Sequence, residues 1–424
     1  MFAAPLSLIL AACDLSGSFA DRAGWEKPAE AFVAEHREDG FRFADARKNI
    51  ANCLRRGGCT WQGLEVWEAR VYYSDAGAAR VEMSLYNRGD DRSGEPMAAA
   101  DLKALLDRIA ARAEPGGKIG PNPEKRKLPS GGYQFQKRFA KGENDIELVW
   151  GVDSVKLKDQ TADYVRVTML PKGAGPKSAR PSPGGVSKTK ARSNVAKNDA
   201  GDVWIDNVPM VDQGQKGYCA AAVAERVLRY YGHDIDEHQI AQMAGTTARG
   251  GTSVAEMLET VKAVGSRCRL GFQPVVSLAG SLGEIEKDVA AYNKVAKQMG
   301  RPAIALDACM EGDTIMVARI ADGMEPEVLL KTRMRDSRFK RFLAGVKKSV
   351  DQGIPVFWGV TLGKFPEPDI PQADGGHMRL VIGYNARTHE ILYTDTWGAG
   401  HELKRMDEGR AFAITHDAFF LKPL

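Results

Sequence analysis

Charge of one sign is scarce in this chain. Its 424 residues hold 59 Lys and Arg against 55 Asp and Glu, a net charge of +4. So small an excess builds no basic face for a phosphate backbone. No finger, RNA-binding or Gly-rich phosphate signature appears either, so no nucleic acid is expected as a partner. Long apolar runs are missing too: past the first residues, nothing approaches the roughly 20 apolar residues of a transmembrane helix. Zinc-type spacing is absent. Cys53 and Cys59 have no histidine or third cysteine near them in sequence, and Cys-x5-Cys is not a usual ligand pair. The expectation is therefore no metal and no organic cofactor. What remains, 43% apolar and 27% charged, is ordinary globular composition, and the length predicts two domains.

Residues 21–170 read as an α+β domain with a mainly antiparallel sheet. Helices are expected over 28–37 and 43–54, the second stopped by Gly57-Gly58. β-rich runs at 64–73 and 80–86 flank Ser74-Asp75-Ala76-Gly77 and predict a hairpin. A helix over 101–113 would put Leu102, Leu105, Leu106, Ile109 and Ala110 on one face. Strands are expected over 133–139, 146–152 and 164–170. The polar residues assemble into no reactive set, and His36 reads as solvated on its helix. Binding substrate, binding envelope material and covering a cleft all stay open as roles. Residues 171–202, rich in Pro, Gly and Lys with no apolar period, read as a solvated linker.

The second domain, 203–424, holds the chemistry. Gln213-Gly214-Gln215-Lys216-Gly217-Tyr218-Cys219 is a glycine-containing loop ending on a cysteine. Val223, Val227, Leu228 and Tyr231 then recur at helical spacing up to Gly232. A cysteine at a helix N-terminus sits beside free N–H groups and the positive end of the dipole, which favour thiolate. Gln213, folding back across the turn, would aim its amide where an oxyanion forms, beside the cysteine's own N–H. Asp236 with Gln239, and Ser253 with Glu256, read as capping boxes opening two further helices. Residues 281–299 and 336–351 read as helices, and 354–362 as a strand.

Past a Pro/Asp/Gly loop, Gly376-His377 opens the run Met378 to Tyr384, and a turn at 385–388 leads into Glu390 to Gly398. A hairpin turning there pairs residues whose numbers sum to about 773. His377 then faces Asp395 or Thr396 at cross-strand distance, where an aspartate orients an imidazole and supports its charged form. The other histidines are weaker candidates. His233 and His238 would lie at the far end of the cysteine helix, His389 in the turn, His401 after Trp-Gly and His416 near the end.

Together these residues resemble the papain-like cysteine peptidases, over about 203–424. The match is Gln-Gly-x-x-Gly-x-Cys at 213–219, the downstream histidine strand, and Asp395-Thr396-Trp397-Gly398. The run after Cys219, with its Arg229-Tyr230-Tyr231-Gly232, is more similar to the bacterial C39-like branch. The Cys-Gly-Ser-Cys-Trp signature of lysosomal relatives is lacking. The resemblance implies a papain-like fold, a helical half carrying Cys219 and an antiparallel β half. It also implies a Cys219, His377, Asp395 triad, a Gln213 oxyanion hole, and Trp397 shielding the His–Asp bond. Gly217 and Gly376 flank these residues as candidate substrate contacts.

Two expectations concern the remaining cysteines. The apolar run Leu6 to Cys13 is like an export signal, and Leu10-Ala11-Ala12-Cys13 resembles a bacterial lipobox, making Cys13 a lipidation and anchor candidate. Ser18-Phe19-Ala20 offers ordinary cleavage instead, and a buried helix is the bland alternative. Residues 1–20 are assigned to export, to the cell envelope or periplasm. Setting aside Cys13 and Cys219 leaves Cys53/Cys59 and Cys268/Cys309, an even set that an oxidising compartment would let pair; buried free thiols are the alternative. The function expected is peptide-bond hydrolysis of a peptide or protein substrate. An acyltransferase or amidase on envelope peptides, and a non-catalytic peptide-binding module, stay open.

Overall fold

The computed structural model describes residues 13–91, 95–120, 122–127, 132–153, 160–174, 188–214, 217–233, 235, 237–244, 254–278, 282–312 and 314–424. The chain divides into two compact units. One comprises Met1–Pro181, Gly214–Gly217 and Ala241–Thr252; the other comprises Ser182–Gln213, Tyr218–Ile240 and Ser253–Leu424.

The first unit is built on an antiparallel sheet. Its strands run in the order Arg42–Phe43, Ile50–Cys53, Glu68–Ser74, Gly77–Asn87, Ala162–Pro171, Asn144–Val152, Tyr133–Lys141, Glu124–Lys127. The helix Ala99–Ala113 buries Leu102, Leu105, Leu106, Ile109 and Ala110, the face expected from its apolar period. The hairpin at 74–77 forms as expected. The helix expected over 43–54 does not. Lys48 takes φ +57 in a turn, and Ile50–Cys53 pairs as a strand with Glu68–Ser74. All four of its residues are buried, so the polar alternation that marks a half-exposed strand is missing. His36 is also buried, its Nδ1 lying 3.0 Å from Asp39 Oδ2, rather than solvated.

Residues 1–12 of the expected N-terminal signal lie outside the described residues, and from Cys13 onward the segment packs into the first unit. Cys13–Asp14 is a short strand parallel to Cys59–Trp61, and Leu15 and Phe19 are wholly buried in the core. Cys13 is 5% exposed, its Sγ lying 3.8 Å from Ser18 Oγ, and burial pushes the thiol up to about 12.

None of the six cysteines is disulfide-bonded in the structure. Cys53 and Cys59 do meet, their thiols interacting directly. Cys309 is buried among Val289, Tyr292 and Val328, a cluster that does not contain Cys268.

The second unit carries a further large antiparallel sheet, in the order Val195–Lys197, Asp202–Ile205, Gly375–Asn385, Val356–Leu362, Thr415–Pro423, Leu270–Ser277. Glu390–Thr394 also pairs with Gly375–Asn385, and with Lys404–Asp407. Its first strand, Val195–Lys197, and the first residue of its second, Asp202, lie inside the stretch expected to be linker. Backbone pairing and one buried carboxylate hold them rather than apolar area: Asp202 accepts from Arg405 at 2.6 Å and from Asn385 at 2.7 Å. Residues 175–187 of that stretch lie outside the described residues, as do the capping residues Asp236 and Ser253. The expected helices form as Leu282–Gln298 and Ser337–Val350. Thr415–Pro423, a central strand, had no counterpart in the sequence reading.

Candidate active site

Cys219 is the first residue of the helix Cys219–Tyr230, and every residue after it to Tyr230 is buried. Tyr218, at the cap, makes no side-chain capping bond, which leaves first-turn N–H groups to face the sulfur. Two turns along, Arg226 donates to the carbonyls of Pro209 and Asp395 at 2.7 and 2.6 Å and to the Thr394 hydroxyl at 2.7 Å. This one side chain ties the cysteine helix to the aspartate segment. It escaped the sequence reading because a polar residue mid-helix reads as a solvated face.

His377 lies on the strand Gly375–Asn385, opposite Val360. The hairpin beyond it differs from the expected register: Leu380 faces Thr394 and, past a bulge between Val381 and Gly383, Asn385 faces Glu390. Pairing ends at Thr394, one residue short of Asp395. The Asp395 side chain reaches the ring itself, with its Oδ1 2.5 Å from His377 Nε2. The Thr396 N–H donates to the same oxygen at 2.8 Å. Trp397 stacks flat on the imidazole, centroids 4.3 Å apart and planes 5° apart. Gly398 closes the segment at φ +75, a conformation strained for any other residue, and a Cβ there would stand 2.4 Å from Asp212 Oδ2.

His377 is 4% exposed, and with Nε2 engaged its buried Nδ1 is the nitrogen left for the thiol. Burial alone would lower the imidazole's pKa. The Asp395 charge and hydrogen bond, with the Cys219 sulfur, outweigh it and push His377 up to about 9. Burial works the other way on Asp395, yet His377, Arg379 and the Thr396 N–H hold it at about 2. For Cys219 burial raises the thiol, but His377 and the backbone of Met378 and Ala220 bring it below its ordinary value. The three groups thus favour one charge state, thiolate, imidazolium and carboxylate.

Gln213, 5% exposed, donates its N–H to the Thr396 carbonyl at 2.8 Å, and its Oε1 accepts from the Thr396 hydroxyl at 2.5 Å. The amide oxygen is thereby oriented by the residue after Asp395. Gly376 is exposed beside His377, with nothing within 4 Å of a Cβ built on it, and Gly217 is half-buried. Of the other histidines, His401 stands edge-on to Trp397 at 5.7 Å, and His416 meets the Thr361 hydroxyl. His238 is edge-on to Tyr218 at 6.0 Å, beside the residue before Cys219 rather than beyond the helix's far end.

Arg379 and Glu367, like Arg226, are polar neighbours that sequence reasoning missed. Arg379 Nε donates to Asp395 Oδ2 at 2.7 Å, and its Nη1 to Glu367 Oε2 at 2.7 Å. The one sequence signal was Arg379 itself, a charge inside a strand otherwise apolar. In the first unit, Cys13, His36 and Asp39 bring three ligand-type atoms within 4.8 Å of one another. Their hydrogen bonds there are to Ser18 and to each other.

A family model described as the Peptidase_C39 like family matches residues 205–416, which span Gln213, Cys219, His377 and Asp395. The chain belongs to that family. This Peptidase_C39-like chain is therefore a cysteine-type peptidase, a hydrolase. Among solved structures, xylellain, a cysteine protease from Xylella fastidiosa, aligns with 57% of this chain and 91% of its own, at 10% identity and a TM-score of 0.26. No curated protein matches the chain.

Proposed function

We propose that this Peptidase_C39-like chain hydrolyses peptide bonds through Cys219, His377 and Asp395, with Gln213 in the oxyanion hole. The Cys219 thiolate adds to the peptide carbonyl carbon, and the developing oxyanion takes hydrogen bonds from the Gln213 amide and the Cys219 N–H. His377 gives its Nδ1 proton to the leaving amine as the C–N bond breaks, leaving a thioester. It then removes a proton from water, which attacks the thioester and frees the acid and the thiolate. Asp395 holds the ring throughout, and Trp397 keeps water from their hydrogen bond.

The observation that carries this reading is the His377–Asp395 contact at 2.5 Å beneath a stacked indole, beside a thiol whose pKa is lowered. A binding module has no use for that arrangement. The test is digestion of a mixed peptide library by reduced protein, with Cys219→Ala and His377→Ala alongside. Cleavage lost in both variants supports the proposal. Cleavage kept in either overturns it, and amine-capped products made in added amine would make the enzyme a transferase. Export to the cell envelope or periplasm, with Cys13 as the lipid-anchor candidate, is proposed from the apolar run at 6–13. The N-terminal residue of protein recovered from its native cell tests it.

A further inference from the structure

The proposed reaction uses one oxygen of Asp395, Oδ1, yet the other is held as firmly. Oδ2 accepts from Arg379 Nε at 2.7 Å, and Arg379 is fully buried. Arg379 follows His377 by two residues on one strand, so both side chains leave the same face. Its Nη1 donates to Glu367 Oε2 at 2.7 Å, and the Tyr393 hydroxyl donates to that same oxygen at 2.6 Å. Among the described residues the remaining nitrogen, Nη2, has no hydrogen-bond partner; the guanidinium lies 4.7 Å over the Tyr393 ring and 5.9 Å from that of Trp358.

A buried guanidinium is expensive, and replacing a buried ion pair with apolar side chains is often neutral or stabilising. Packing alone therefore does not call for arginine at 379. Geometry does. A carboxylate held at one oxygen can swing about Cβ–Cγ, whereas donors on both oxygens fix it, and fixed supports are what a reacting group needs.

We infer that Arg379 is a positioning residue, clamping the Asp395 carboxylate so that Oδ1 stays on His377, with Glu367 and Tyr393 holding the clamp in turn. The inference rests on the Cys–His–Asp reading above. The charges agree with it. Arg379 adds to His377 in keeping Asp395 ionised, while Glu367 offsets the guanidinium and spares the imidazolium a bare positive neighbour. The charged and titratable groups facing Asp395 are His377 and Arg379 from their strand, Tyr393 from the neighbouring strand, Arg226 from the cysteine helix, and His401 from beyond the turn. Glu367 acts through Arg379.

The test is the pH dependence of Cys219 alkylation by iodoacetamide in the full, reduced chain, for wild type, Arg379→Gln, Arg379→Lys and His377→Ala. Removing the cation and loosening the ring both make the thiolate harder to form. The acid arm should therefore move up by about one unit in Arg379→Gln, roughly tenfold slower alkylation at the wild-type midpoint. Lysine keeps the charge without bridging both carboxylates, so Arg379→Lys should fall between. If Arg379→Gln does not fold, the lysine variant decides: a shifted arm supports the clamp and a wild-type arm overturns it. A wild-type profile in folded Arg379→Gln also overturns it. His377→Ala separates the two levels. If it keeps the low-pH arm, the Cys–His reading itself fails; if it loses the arm while Arg379→Gln keeps it, only the clamp fails.

Discussion

His377 and Arg379 hold opposite oxygens of one carboxylate, Asp395 Oδ1 at 2.5 Å and Oδ2 at 2.7 Å. One strand supplies both, and Arg226 of the cysteine helix binds the backbone of that same aspartate. The relative placement of helix, strand and hairpin end therefore passes through a single residue.

Replacing Asp395 by Asn keeps the shape but removes the charge that raises His377. The imidazole should drop from about 9 toward its ordinary value, pulling the alkaline limb of activity to lower pH. Turnover should fall by about 100-fold, the lower reach of general acid–base help. A pH–rate profile checks both.

Gln213→Ala removes a proposed oxyanion donor without touching the ion pair. Turnover should fall by roughly 100-fold or more, while alkylation of Cys219, which forms no oxyanion, keeps its wild-type rate. Thr396→Val, which releases Gln213 Oε1, should produce a smaller loss of the same kind. Parallel kinetics and alkylation separate these from general damage.

Stability should follow the same charges. His377 has its pKa raised to about 9, so the stability it adds is complete below its unfolded value of 6.5 and is lost as pH rises through 9. Asp395, held at about 2, adds stability present above 3.8 and lost as pH falls through 2. The second unit should be most stable between those limits, and His377→Ala should flatten the alkaline decline. A loss on the order of 1 kcal/mol would lower Tm by roughly 2–4 °C.

Residues 13–20 should prove structural. Phe19→Ala empties a wholly buried site in contact with Trp25 and Phe32, and should cost about 3–5 kcal/mol. Chemical denaturation followed by tryptophan fluorescence tests it. A neutral substitution would return this segment to the role of a removable leader.

Much of the site was legible because its signals are local. Alanines and spaced aliphatics after Cys219 mark a helix, and counting back from the turn at 385–388 brings His377 to Asp395 even with the register off by a bulge. Arg379 and Glu367 were not legible, since their meaning lies in side-chain geometry across 12 and 16 residues. Ile50–Cys53 was misread because full burial erases alternation. Asp202–Ile205 was passed over because a buried Asp–Arg pair, absent from any apolar pattern, anchors it.

The most direct test of the account is the reactivity of Cys219 between pH 4 and 9, followed residue by residue by peptide mass after iodoacetamide. A thiolate paired with His377 predicts fast Cys219 alkylation well below the ordinary thiol range of about 8.5, abolished by His377→Ala, with the other five cysteines slow. Alkylation of Cys219 only near that ordinary range, unchanged by His377→Ala, would contradict the ion pair and with it the proposed mechanism.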